Sequence, residues 1–368
     1  MSLDRIRIGF IPLVDAAIPI IAADCGFAAA EGLEIELTRE ISWSNIRDRL
    51  TLGHFDAAHL LSPLAIATTL GLNSVKTGLV APMTLGLNGN AVTLAPHLYD
   101  ELVGLLPPEA DASDPRATGA AFASLVRARR RAGVEAPVLG MTFPFSIHNY
   151  QLRMWLASAG LVPDEDVRLA VVPPPYMVDA MENAHVEGFC VGAPWNSVAV
   201  DLGLGKILHL GVDLVRRCPE KVLAVRAKWL DEKPDIAARL IRALVAAAEW
   251  IERPENHVET AERLGQTARL DVAAPLILRT IQGRLPIGGG DGVRQSDSYI
   301  LFARDGALRP DPRHASWLHG EMTRWGQAKG GEAEAAAAAA VYRPDVFDAA
   351  TGRAAPVETP DPLGLFTG

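Results

Sequence analysis

Five short segments carry side chains or backbone groups that can donate hydrogen bonds to an anion. In SWSNIRD (Ser42 to Asp48) a helix begins after a loop. The free N–H groups of a helix start carry partial positive charge, which an anion neutralises. Trp43 is there either core filler or a donor whose indole N–H reaches an oxyanion. LNGNAVT (Leu87 to Thr93) holds Asn88, Gly89 and Asn90, which favour a turn and would suit a hinge. FPFSIHNYQLR sets Ser146 and His148 at the start of a second helix, where a hydroxyl, an imidazole and backbone N–H groups converge. A structural histidine is the alternative there. GAPWN puts Gly192 after an apolar strand, where a missing Cβ lets a ligand approach the backbone. CPEKV places Lys221 immediately before a strand, either as an ordinary surface charge or as the cation of a site.

Enzyme signatures are missing from the sequence. It has no GxSxG, HExxH, GxxxxGK[ST] or Cys–His pattern, and GLGLG does not run from a strand into a helix as a dinucleotide fingerprint does. GRLPIGGGDG (Gly283 to Gly292) follows a helix and reads as a loop before it reads as a phosphate cradle. Cys25, Cys190 and Cys218 form neither a CxxC pair nor a metal-ligand spacing, so free buried thiols and no cofactor are expected. A net charge of −9 argues against a partner bound through nucleic-acid phosphates. It does not decide a small ligand, since screening over roughly 8 Å leaves the local groups in control. No stretch reaches the ~18 uninterrupted apolar residues of a membrane helix. MSLDRIRIGFIPL lacks the basic region, apolar core and cleavage site of an export signal. The expectation is a cytoplasmic protein with no membrane partner, a trimmed signal being the alternative.

The elements that must position these residues follow from periodicity. Arg5 to Leu13 alternates as a strand, Ala16 to Glu31 is helical with Gly32 at its end, and Leu33 to Leu37 alternates again. Asn45 to Leu52 is a short helix and Ala57 to Leu61 an apolar strand. That β-α-β-α-β order predicts an open, mainly parallel sheet covered by helices. A second α/β series runs through a helix at Ala117 to Arg131, a strand at Pro137 to Phe143, a helix at Ser146 to Ala159, and strands at Val167 to Val172 and Val186 to Gly192. The chain then returns through the strand Val222 to Ala227 and the helix Pro234 to Ile251. The expected architecture is a two-lobed α/β clamp with two chain crossings. Lobe 1 is 1–99 plus 216–330, lobe 2 is 100–215, and 331–368 is a C-terminal extension with Val341 to Phe347 docked. Clamps of this kind close on a ligand at the carboxyl ends of their strands.

The segments SWSNIRDRL, DAAHLLSPLAIATTLGL, LNGNAVTL, FPFSIHNYQLRMWLASAGLVPDEDVRLAVVPPPYMV, VEGFCVGAPWNSVAV and CPEKVLAV, in that order, resemble the nitrate- and bicarbonate-binding proteins of ABC transporters. The resemblance implies the type II periplasmic-binding fold, a small oxyanion ligand and no catalysis. Within that family the sequence is most similar to cytoplasmic NasS-type nitrate/nitrite sensors. These imply a NasT-type ANTAR antiterminator as the partner, an RNA-binding protein released when the anion binds. The alternative is the substrate-binding component of an anion transporter. Thiamin-pyrimidine synthases share the clamp but carry a cysteine cluster, whereas the cysteines here are isolated. By matching motif, Trp43, His148, Gly192 and Lys221 are implied to line an oxyanion pocket; Asn88 and Ser146 are candidate contacts from the reading of their own segments. A glutamine of the family stands where this chain has Leu87, and an acidic residue where it has Ala193. Loss of the acid disfavours the bicarbonate-with-calcium variant, because a hard cation needs oxygen ligands. Loss of the glutamine removes one donor, so another small anion is the alternative to nitrate.

Overall fold

The computed structural model describes residues 3–72, 75–353 and 363. The strands that build its two main sheets are β1 (Asp4–Phe10), β2 (Leu33–Arg39), β3 (Ala57–Leu61), β4 (Leu79–Thr84), β5 (Asn90–Leu94), β6 (Val138–Met141), β7 (Arg168–Val171), β8 (Gly188–Gly192), β9 (Lys206–Leu210) and β10 (Lys221–Arg226). They fall into two compact units. The first comprises Met1–Leu87, Pro219–Ile281 and Ile300–Pro362; the second comprises Asn88–Cys218, Gln282–Tyr299 and Leu363–Gly368.

The first unit has the sheet order β2-β1-β3-β10-β4. β1 runs parallel to β2 and β3, while β10 is antiparallel to β3 and β4. All five residues of β3 are buried, as a central strand covered on both faces requires. Gly9 of β1 is dictated by packing, since a Cβ there would lie 2.3 Å from the Phe55 ring. Pro82 is tolerated because β4 ends the sheet. The helix Pro234–Ile251 buries Leu240, Ile241, Leu244, Ala247, Ala248 and Ile251, a stripe at helical spacing, and packs on the helix Ala17–Asp24.

The second unit has the order β9-β5-β8-β6-β7, with β5 antiparallel to its two neighbours and β6 parallel to its two. The helices Pro115–Arg131 and Ile147–Ser158 pack together, with Phe122 and Trp155 ring centroids 4.9 Å apart.

Several sequence-based expectations change. The helix expected over Ala16 to Glu31 breaks at Gly26, whose φ of 82° is left-handed, so Phe27–Ala30 is a separate turn. The first boundary lies at 87/88 rather than 99/100, because Asn90–Leu94 is a strand paired with β8 and β9 in the second unit. The return lies at 218/219 rather than 215/216. Residues 282–299 also belong to the second unit, so the chain passes between the units more than twice. The glycine-rich segment there forms the hairpin Arg284–Pro286 with Val293–Gln295, held by Arg294 on Asp213 and by Lys206 on Asp291. Val341 to Phe347 is docked as expected, and the docked part extends over residues 332–351. The helix Glu332–Ala339 packs on Pro312–Arg324, Pro344–Thr351 packs on Pro234–Ile251, and Ala81 exchanges hydrogen bonds with Val341 and Arg343. The last residues of the extension lie outside the described ones, Leu363 excepted.

Candidate functional site

Four elements of the first unit converge on one lysine. β10 opens with Lys221, which stands opposite Leu61 in the antiparallel register, while Leu223 stands opposite His59. Side chains two apart on a strand share a face, so Lys221 and His59 project to the same side of the sheet. β1 gives way to the single turn Val14–Ala16, which delivers Asp15. Ser42 caps the helix Trp43–Thr51 by accepting from the Asn45 N–H at 3.3 Å, and so fixes Trp43 as its first residue.

Asp15 bridges the cluster. Its Oδ1 accepts from His59 Nε2 at 2.8 Å and its Oδ2 from Lys221 Nζ at 2.8 Å. Lys221 Nζ also donates to the carboxylate of its neighbour Glu220. The ammonium lies 5.3 Å from the Trp43 ring centroid, and that ring lies 5.7 Å from the His59 ring. Lys221 and His59 are wholly buried, Trp43 and Glu220 1% exposed and Asp15 4%. Burial pushes the Lys221 pKa down, but Asp15 and Glu220 outweigh it, and the ammonium is held above its ordinary value. Burial likewise pushes Asp15 up, yet Lys221 and His59 bring it well below the usual carboxylate range. Burial keeps His59 below the ordinary imidazole value despite the pull of Asp15.

The cluster also contains polar atoms that no protein group satisfies. Trp43 Nε1, His59 Nδ1 and Ser62 Oγ are buried without a hydrogen-bond partner. Each such group costs about 1–3 kcal/mol in an ordinary core. Trp43 and His59 stand beside the buried ammonium, and Ser62 donates its backbone N–H to Glu220 O at 3.2 Å, so the three unpaired atoms call for an explanation. Two N–H groups of Lys221 are committed to carboxylates. No acceptor for the third is seen among the described residues.

The second unit collects a different set. Ser146 is the N-cap of Ile147–Ser158, accepting from the Asn149 N–H at 3.1 Å. His148 Nδ1 lies 2.9 Å from Thr142 Oγ1, in full burial. Gly192 ends β8 opposite Asn90, and the N–H of Ala193 donates to Gly89 O at 2.7 Å. Ala193 is 2% exposed and offers no side-chain donor. Gln151, one turn after His148, is wholly buried and lies between Cys190 at 3.7 Å and Cys218 at 3.8 Å.

Two expected contacts have other duties. Leu87 belongs to the first unit and is buried against Leu301 and Ala307, an apolar role with no donor. Asn88 spends both amide hydrogens on Arg216 O and Ser298 O, and its Oδ1 accepts from the Cys218 N–H, so it ties chain segments of the second unit. A groove of about 900 Å³ elsewhere in that unit, lined by His97, Arg129 and Glu187 among others, shares no residue with either set. Arg129 there is already paired with Glu187 and Glu101.

Sequence reasoning missed Asp15, His59, Ser62 and Glu220. The signal was present in part: Asp15 and His59 are polar residues inside otherwise apolar runs (LVDAAIPII, DAAHLL), where a buried ionisable group needs a partner.

Two mixed sheets with flanking helices, in two units built from interleaved chain segments, define the two-lobed periplasmic-binding-protein fold, and the chain is a binding protein rather than an enzyme. Residues 2–265 match the NMT1-like family, and the chain belongs to it. It is 33% identical over 327 residues to the nitrate/nitrite binding protein NrtA of Nostoc sp., covering 88% of this chain and 71% of that protein. It is 31% identical over 346 residues to the nitrate import ATP-binding protein NrtC of Synechocystis sp., covering 93% of this chain and 49% of that protein. The crystal structure of the periplasmic nitrate-binding protein NrtA from Synechocystis superposes with a TM-score of 0.87 at 29% identity, over 95% of this chain and 89% of the other.

Proposed function

We propose that this chain binds nitrate or nitrite, and that the buried Lys221 cluster of the first unit is the anion's anchor. The observation that carries the reading is the fully buried ammonium beside a Trp43 indole N–H that no protein group accepts. An oxyanion fits both donors, and a charge-assisted hydrogen bond in such surroundings contributes about 1.5–3 kcal/mol. In the second unit the Ser146 helix start, His148 and the Gly192 backbone form a further donor group, whose part is tested separately by His148→Ala.

The relatives support a substrate-binding component of a nitrate import system. They are named for nitrate binding and nitrate import, and one of them carries the matching region inside an ATP-binding import protein. They lend nothing to the sensor reading or to an antiterminator partner, so the transport reading takes precedence. Fractionation of cells expressing the full gene decides the compartment: an importer's binding component partitions outside the cytoplasm, a sensor inside it.

The ligand is tested by thermal unfolding with nitrate, nitrite, bicarbonate, sulfate and chloride at constant ionic strength. Ligand at 100 times its dissociation constant adds about 2.7 kcal/mol, enough to move the midpoint visibly. The expected result is stabilisation by nitrate or nitrite alone. Stabilisation by bicarbonate or sulfate instead would overturn the ligand assignment.

A further inference from the structure

The donors and acceptors of the Lys221 cluster do not balance for a bare anion. Asp15 is ionised, so it can only accept, and the hydrogen on His59 must lie on Nε2, which faces it at 2.8 Å. A neutral imidazole carries one hydrogen, which leaves His59 Nδ1 as a bare lone pair. That atom is buried without a partner, as Trp43 Nε1 is. A nitrate ion has only acceptors, so it is repelled by a lone pair at this point.

The charges point the same way. Lys221 is already shared between the carboxylates of Asp15 and Glu220, all buried. An added anion therefore lacks a counter-charge of its own where water cannot screen it.

We propose that the first unit takes up one proton together with its anion, and that His59 Nδ1 receives it. The proton comes from the buffer. Once it is bound, Nδ1 turns from acceptor to donor, the imidazolium gains its counter-ions Asp15 and the ligand, and the added negative charge is cancelled. Burial holds the unliganded imidazole neutral, consistent with this order of events. The groups that act on His59 are accounted for. Asp15 comes from the Val14–Ala16 turn, and Lys221 and Glu220 from the start of β10. Arg47, Asp48 and Arg49 of the Trp43–Thr51 helix are engaged with one another or with Glu40. Arg7 of β1 is paired with Asp56, and Arg226, at the far end of β10, donates to Phe55 O.

This inference rests on the anion-binding reading, and the test separates the two. Nitrate is titrated into the full chain by calorimetry at about pH 7, once in phosphate and once in Tris, whose ionisation enthalpies differ widely. The expected result is an enthalpy difference equal to about one proton, with the dissociation constant falling by up to about tenfold per pH unit between about pH 8 and about pH 6. His59→Gln keeps an amide N–H for Asp15 and loses the titrating atom, so it should bind with the same enthalpy in both buffers and with a flat pH profile. Glu220→Gln should keep the linkage. Wild-type binding with equal enthalpies and no pH dependence would overturn the proton uptake. Loss of the linkage in Glu220→Gln but not in His59→Gln would move the proton to Glu220 and overturn the assignment. Failure of nitrate to bind at any pH would overturn the anion reading itself.

Discussion

The two units bury polar groups in opposite ways. The first buries charge: Lys221, Asp15 and Glu220 are joined by direct ion pairs around His59. The second buries polar side chains against hydroxyl and thiol partners. His148 is held by Thr142, His209 by Thr118 at 2.7 Å with Trp155 Nε1 on the same hydroxyl, and Gln151 by two thiols. Hydrogen-bonded networks mainly specify packing, whereas a buried cluster of charges is costly to keep. On the proposed reading the first unit anchors the anion and the second contributes orientation and fold specificity.

The sharpest break of this contrast is Lys221→Ala. Removing the ammonium leaves two buried carboxylates facing each other, and losing one partner of a buried ion pair costs about 3–5 kcal/mol. The variant should unfold at markedly lower denaturant and show no stabilisation by nitrate. Unchanged stability would mean that the ion pairs contribute little. A retained nitrate response would remove Lys221 from the site.

The next effect belongs to the second unit and is seen as pH falls. Burial depresses His209 to about 4, with nearby Asp213 only partly opposing. Its folded pKa lies below the unfolded value of about 6.5. Stability is therefore full above about pH 6.5, is lost as the unfolded chain protonates, and levels off once pH passes the folded value. The loss for this one group is up to about 3 kcal/mol. Urea unfolding of wild type and His209→Gln at a series of pH values should show the difference in slope over that window. Parallel slopes would contradict a neutral, buried His209.

Much of the scaffold was legible because it rests on local pattern. The apolar run Ala57 to Leu61 and the stripe of Pro234–Ile251 gave the right elements with their bounds, and the alternation in RIRIGF gave the right strand, which ends at Phe10 rather than Leu13. Asn90–Leu94 was not legible, since the turn-forming NGN masks a strand whose partners β8 and β9 come about 100 residues later by number. The break at Gly26 hides in an apolar stretch for the same reason: one backbone angle ends a periodicity that the side chains continue. Trp43 and Lys221 could be proposed from their places at a helix start and a strand start. Asp15 and His59 could not, because their roles arise from pairings 206 and 44 residues apart. Leu87 and Asn88 sat at the expected turn, yet that turn is fixed by apolar packing and by amide ties.

The central claim is that the buried cluster of the first unit, with Trp43 as a waiting donor, holds the anion. Calorimetric titration of nitrate into wild type and Trp43→Phe tests it most directly, because the substitution keeps an aromatic ring and deletes the indole N–H. The account predicts an unliganded melting midpoint close to wild type and a dissociation constant weaker by about tenfold or more, the value of one hydrogen bond to a charged ligand. Equal dissociation constants for the two proteins would contradict it and place the anion away from Trp43.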